Sequence, residues 1–237
     1  MQKLATRRGL VSFSDQARQL PVLRLAFGHW RRAASVLTDR WLGIQTESVD
    51  VPQAATELTD AHWYVPLAYG QARRVLRSLR LENDDVVYDI GCGFGRVVCL
   101  AAQHRVREVI GVECDARFGL AADANVRGLR RLASPVRIEV SDAAVANYDG
   151  ATVVILFNPF GAATMRAVLK RLEAGRAEQS ASVRIAYINP TAEAEFERCG
   201  WLTCTNRTRS LRFRHTTSYW ESKPSPAHVS PLNWAGD

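Results

Sequence analysis

A chain of 237 residues with 47% hydrophobic content is long enough for one large α/β domain with a modest extension. No stretch approaches ~18 uninterrupted apolar residues, so no membrane span is expected. The formal charge of +7 permits an acidic partner such as nucleic acid. Arginine is spread along the whole chain, however, which equally suits a solvated surface. The five cysteines, Cys92, Cys99, Cys114, Cys199 and Cys204, are odd in number and form no C-x-x-C pair. They read as free thiols of a reducing, cytoplasmic setting, not as a disulfide scaffold or a metal site.

The chain begins with a basic stretch, Lys3, Arg7, Arg8, Arg18, Arg24, Arg31 and Arg32 against the single acid Asp15. That bias resembles a transit peptide. It runs into Trp30, Val36, Leu37, Trp41 and Leu42, which have the look of packing residues, so a structured helical extension or lid over residues 1–60 is expected. Within it, 20–42 is predicted as an amphipathic helix following Pro21. Residues 50–60 are polar and read as a linker.

From there the pattern is regular. A helix is predicted over 69–81, with Ala72, Val75, Leu76 and Leu79 at i, i+3, i+4 and i+7. The Asn83-Asp84-Asp85 turn leads into a strand at 86–90, followed by a helix at 96–103, a strand at 108–113 and a helix at 116–132. Strands follow at 136–140 and 151–157; the second is the strongest apolar run, as expected in the middle of a parallel sheet covered on both faces. A helix at 162–173, a strand at 183–188 and a short helix at 191–199 complete the alternation. Two closely spaced strands, 201–209 and 212–220, read as an antiparallel hairpin. Residues 223–237, rich in Pro and Ser, read as a flexible tail. The fold class is α/β: a doubly wound, mostly parallel seven-stranded sheet over 61–222 with an antiparallel C-terminal edge.

The most informative segment is Asp89-Ile90-Gly91-Cys92-Gly93-Phe94-Gly95, an apolar strand ending in an acid and a G-x-G-x-G turn. The glycines allow a ligand to lie directly against the backbone. Asp89 would repel a phosphate and favour a cationic group. A dinucleotide-binding turn has the spacing G-x-G-x-x-G and needs no acid within it. Two further acids follow strand ends: Glu113 closes the second strand and Asp142 follows the third. In an open α/β sheet the carboxyl ends of the strands line one crevice, so the three carboxylates should converge on one ligand.

These segments, with Gly111-Val112-Glu113 and Ser141-Asp142-Ala143, resemble the consecutive motifs of class I, seven-strand S-adenosylmethionine-dependent methyltransferases over about residues 64–221. The resemblance implies S-adenosyl-L-methionine as cofactor, held by Asp89, Gly91, Cys92, Gly93, Gly95, Glu113, Cys114, Asp142 and Ala143. Glu113 would serve the ribose hydroxyls, Asp142 the adenine amino group, and Asp89 the amino-acid end.

The fourth strand ends in Phe157-Asn158-Pro159-Phe160-Gly161, which resembles the Asn-Pro-Pro-Tyr motif of amino methyltransferases. Asn158, Pro159 and Phe160 are therefore the candidate catalytic residues, with Asn158 also beside the cofactor. This chain lacks one proline of that motif, which brings the ring one residue closer to Asn158. Tyr69-Gly70-Gln71 and Tyr64-Val65-Pro66 resemble segments of non-SET protein-lysine methyltransferases, which implies that Tyr64 and Tyr69 fold over the methionine end of the cofactor.

A protein lysine is the leading acceptor. A small-molecule N- or O-methyltransferase is the alternative, and a non-catalytic RNA- or protein-binding subunit a third reading. Phe157, Phe160, Trp63 and Tyr64 are candidates for an apolar channel that would depress a lysine pKa. His62 and His215 are candidate bases for a hydroxyl acceptor. Arg207, Arg209, Arg212 and Arg214 form a candidate basic patch on the hairpin, or a solvated edge.

Overall fold

The computed structural model describes residues 21–47, 60–62, 64–176, 182–210 and 215–223, with side chains from residue 30 onward in the first helix. Residues 1–20, Trp63, Arg212, Arg214 and the tail beyond 223 lie outside the described residues, as does most of the expected linker. The elements in chain order are α1 (Pro21–Leu42), α2 (Tyr69–Leu79), β1 (Val86–Ile90), α3 (Arg96–Ala101), β2 (Glu108–Glu113) and α4 (Ala116–Gly128). They continue with β3 (Val136–Val140), β4 (Val153–Phe157), α5 (Ala162–Arg176), β5 (Arg184–Ile188), α6 (Glu193–Arg198), β6 (Leu202–Arg209) and β7 (Thr216–Ser222).

The seven strands form one sheet in the order β3-β2-β1-β4-β5-β7-β6. Strands β1 to β5 pair in parallel, and β7 runs antiparallel to both β5 and β6. β7 is thus interior and β6 is the edge, so the C-terminal hairpin forms the antiparallel margin that was expected. The sequence of β7 explains this: Thr217, Ser218, Tyr219 and Trp220 are all buried, whereas β6 is polar and mostly exposed.

Each strand alternates its side chains between two apolar layers. Val87, Val153, Ile155, Ala186 and Ile188 face the layer with α2 and α3. Tyr88, Ile90, Val154, Leu156, Ile185 and Tyr187 face the layer with α5 and α6. The order reverses between β1 and β4, so the crevice at their carboxyl ends is the place for a ligand.

Helix α1 departs from expectation. Trp30, Leu37 and Trp41 are about two-thirds exposed and Val36 is also exposed, while Asp39 and Leu42 are buried. An apolar stripe suggested the inward face; the actual inward face carries a carboxylate. Its partner is Arg96, and the pair ties residues 39–47 to the sheet.

Candidate active site

The strand β1 to helix α3 turn is built from hydrogen bonds across the sheet. Gly91 N and Cys92 N both donate to the Val112 carbonyl, at 2.8 and 3.0 Å. Gly91 has φ +77°, and a Cβ there would press into Pro159; the absence of a side chain lets the ends of β1 and β4 close on each other. Gly93, at φ +54°, has the Tyr64 ring where a Cβ would stand. These two positions are where the motif needs glycine.

Asp89, Gly91, Cys92, Glu113, Cys114, Asp142, Ala143, Asn158, Pro159 and Phe160 line one cleft, together with Tyr64 and Phe157. Gly93 and Gly95 do not line it: Gly93 backs onto the Tyr64 ring and Gly95 packs against Ala122 of α4. Sequence-distant acids therefore do meet. Glu113 is buried, and each of its oxygens is held from behind: Oε2 accepts from Gly93 N at 2.8 Å and Oε1 from Asp115 N at 3.0 Å. Asp142 accepts from Ala144 N at 2.8 Å through Oδ1.

Asp89 is buried, and no ion pair holds it among the described residues. Burial, and then the charge of Glu113, push its pKa up to about 7. The same causes act on the neighbouring thiols. Burial pushes Cys92 up strongly, with Asp89 and Glu113 adding to it; burial and then Glu113 push Cys114 up to about 11. Neither is poised as a thiolate. The cleft is an anionic surface that would gain from a cation.

Tyr64 packs in an aromatic trio, with ring centroids 4.8 Å from Phe94 and 5.7 Å from Phe118. Its hydroxyl donates to the Thr46 carbonyl at 3.0 Å. Burial pushes its phenol well above the usual range. Tyr69 does not line this cleft. Its hydroxyl donates to Asp39, and the Arg96 guanidinium lies 4.4 Å from its ring centroid.

Arg96 was not singled out by its sequence position, and it is the hub of this region. It is buried, donates to Thr46 Oγ1 at 2.6 Å, the Leu67 carbonyl at 3.0 Å and Glu47 at 3.1 Å, and lies 3.7 Å from Asp39. A charged residue opening the otherwise apolar helix RVVCLA was the available signal.

At the end of β4, Asn158 has φ +42°, a conformation that Asn tolerates better than most residues. Its Oδ1 accepts from Thr191 Oγ1 at 2.5 Å. His62 Nδ1 lies 3.0 Å from the Asn158 carbonyl oxygen, which sets it at the mouth. The segment 60–62 runs along 159–161: His62 N donates to Pro159 O at 2.8 Å, Gly161 N donates to Asp60 O at 3.0 Å, and Ala61 bridges Phe160.

The Pro159 carbonyl accepts from His62 N with one lone pair and keeps the other. Phe160 borders the cleft but is 5% exposed and packs in the apolar layer with Ala143 and Met165. His215 stands edge-on to Phe157 at 5.8 Å; burial, then Arg31, hold its pKa below the usual value.

No family model matches the chain. It is 36% identical over 90 residues to a protein-lysine N-methyltransferase of Saccharolobus islandicus (strain REY15A), a match covering 35% of this chain and 56% of that protein. The chain thus spans little more than half the length of that relative. Among solved structures it is similar to an RNA methyltransferase from Salinibacter ruber in complex with S-adenosyl-L-homocysteine, at 26% identity and TM-score 0.51, covering 67% of this chain and 94% of that one. It is also similar to magnesium protoporphyrin IX methyltransferase from Synechocystis PCC 6803 with bound SAM, at 16% identity and TM-score 0.52, covering 65% and 79%. The fold is that of the class I S-adenosylmethionine-dependent methyltransferases.

Proposed function

We propose that this chain is an S-adenosylmethionine-dependent methyltransferase that methylates nitrogen, with a protein lysine as acceptor. The observation that carries the reading is the meeting of Asp89, Glu113 and Asp142 with Asn158 around one cleft. The fit to the cofactor rests on charge. A buried carboxylate raised to about 7 is a site that a cationic ligand would ionise and stabilise. Glu113, gripped from behind by two backbone amides, keeps lone pairs for ribose hydroxyls. Asp142 and Ala143 would flank the adenine, and Tyr64, on the glycine turn, would border the methionine end. The cofactor supplies an electrophilic methyl group on sulfonium.

The chain's own residues bind and orient the acceptor and hold it neutral. An ammonium entering past Val65, Pro66 and Phe157 loses solvent, which favours its uncharged form. Asn158 Oδ1 has one lone pair taken by Thr191 and one left for an amine N–H. His62, at the mouth, is placed to take the released proton or pass it to solvent. Proximity and alignment provide the rest of the rate. The relative acting on protein lysine supports the acceptor class, and the buried Phe160 favours a slender amine over a planar base.

The test is incubation of purified chain with methyl-labelled cofactor and a cell extract split into protein, nucleic-acid and metabolite fractions. Label on lysine in the protein fraction is the expected result. Label confined to metabolites would make it a small-molecule enzyme, and label in RNA would overturn the lysine assignment. Absence of cofactor binding by calorimetry would sink the enzyme reading altogether.

A further inference from the structure

A second concavity lies beside the cleft, between α1, the start of α2 and the end of β6. Its described lining includes Trp30, Arg31, Arg32, Arg74 and Arg209. All five are exposed. The only acid among the described lining residues is Glu47, which is spent on buried Arg96. Val65 and Pro66 line both this groove and the cleft, so the two are continuous past one lip. Arg31 on α1 also acts electrostatically on His215, just before β7, which places the basic face of the helix and the hairpin end against the same space.

Resting on the methyltransferase reading, we propose that this arginine groove docks acidic residues that flank the acceptor lysine, so that the enzyme selects lysines in carboxylate-rich protein segments. Guanidinium groups bind carboxylates in bidentate fashion and keep their charge at any physiological pH. Arg74 and Arg209 in one groove, contiguous with the catalytic mouth and beside the basic face of α1, give an anionic chain a register as well as an attraction. Trp30 adds a flat apolar wall.

Two observations favour a protein segment over nucleic acid. Phe160, at the acceptor end, is 5% exposed and packs with Ala143 and Met165, which leaves little of its ring to stack on a flipped base. Along β6 the neighbouring described arginine, Arg207, is not part of the groove: it pairs with Glu193 at 3.1 Å and Glu197 at 3.2 Å on α6. A backbone-tracking surface would carry the charge further.

The test uses the full chain, two fluorescein-labelled peptides and a labelled single-stranded oligonucleotide. One peptide has a lysine between glutamate runs; the other replaces every glutamate with glutamine. Fluorescence anisotropy should give about tenfold tighter binding of the glutamate peptide, lost as salt rises. The double charge reversal Arg74→Glu with Arg209→Glu should bring its affinity down to that of the glutamine peptide, with cofactor affinity by calorimetry unchanged. Should that variant fail to fold by circular dichroism, Arg74→Gln with Arg209→Gln is read the same way, with a smaller loss.

Equal binding of the two peptides by the unaltered chain, or undiminished binding by a folded variant, overturns the proposal. Tighter binding of the oligonucleotide than of the glutamate peptide overturns it in favour of nucleic acid. Failure of the unaltered chain to bind cofactor counts against the methyltransferase reading instead, and is read in a separate measurement.

Discussion

The amide of Gly93 donates to Oε2 of Glu113 at 2.8 Å, joining the glycine turn after β1 to the last residue of β2. Here the backbone of one orients the carboxylate of the other, and the Asp115 amide holds the second oxygen. The acid is preorganised before any ligand arrives.

Glu113→Gln removes the charge and keeps one carbonyl acceptor. Cofactor affinity should fall about tenfold to a hundredfold, the loss of one or two charge-assisted hydrogen bonds. Glu113→Ala should lose more, and should also lower the melting temperature, because Gly93 N is left without its acceptor. Titration calorimetry reads both. An unchanged dissociation constant in Glu113→Gln would remove Glu113 from the cofactor site.

Asp89 predicts a pH dependence with a definite sign. Its folded pKa is raised to about 7 from an ordinary 3.8. In the unliganded chain its contribution to stability is full below the unfolded value and is lost as pH rises through about 7. A cationic ligand favours the ionised form, so its affinity should rise with pH over the same window and level off above it. Binding near pH 6 should release protons, seen as different heats in buffers of different ionisation enthalpy. Asp89→Asn should flatten the profile. A flat profile in the unaltered chain would mean that Asp89 does not face the cation.

Much of this site was legible in the sequence because each acid is anchored to a strand end, and period-two apolar runs locate strand ends well. Asp89, Glu113 and Asp142 needed only the sheet order to come together. Arg96 and Asp39 were not legible, since their pairing spans more than fifty residues and defies the rule that a helix turns its apolar stripe inward. Trp30, Leu37 and Trp41 supplied that misleading stripe. The burial of Phe160 was not legible for a related reason: local sequence carries no record of the partner segment 60–62, whose Ala61 bridges it.

The Arg96 hub predicts a large stability effect. Arg96→Leu leaves Asp39 buried without its cation, a change that costs about 3–5 kcal/mol. Burial, then the Asp39 bond, push the Tyr69 phenol above its usual range, so Tyr69 stays protonated as a donor. Tyr69→Phe should cost about 1–3 kcal/mol, the penalty for a buried acceptor that loses one partner. Urea unfolding reads both as a lower midpoint. The two losses should be non-additive, because both variants strip the same carboxylate. Additive losses would show that Asp39 is not the shared partner.

The last prediction concerns Asn158 and Thr191. The threonine hydroxyl donates to Asn158 Oδ1 at 2.5 Å, so it fixes the orientation of the amide without touching the cofactor cleft itself. The positive φ at Asn158 makes Asn158→Gly the cleaner deletion, since alanine would add backbone strain of about 1–3 kcal/mol. Asn158→Gly should lower kcat on the order of a hundredfold and leave the cofactor dissociation constant within about twofold. Thr191→Val keeps the shape and removes the donor. It should lower kcat less than Asn158→Gly and leave KM nearly unchanged, and Thr191→Ser should recover most of the loss. If Thr191→Val changes stability alone, with kcat intact, the hydroxyl only packs the loop. The amide would then find its orientation from the positive-φ backbone and the 60–62 segment instead.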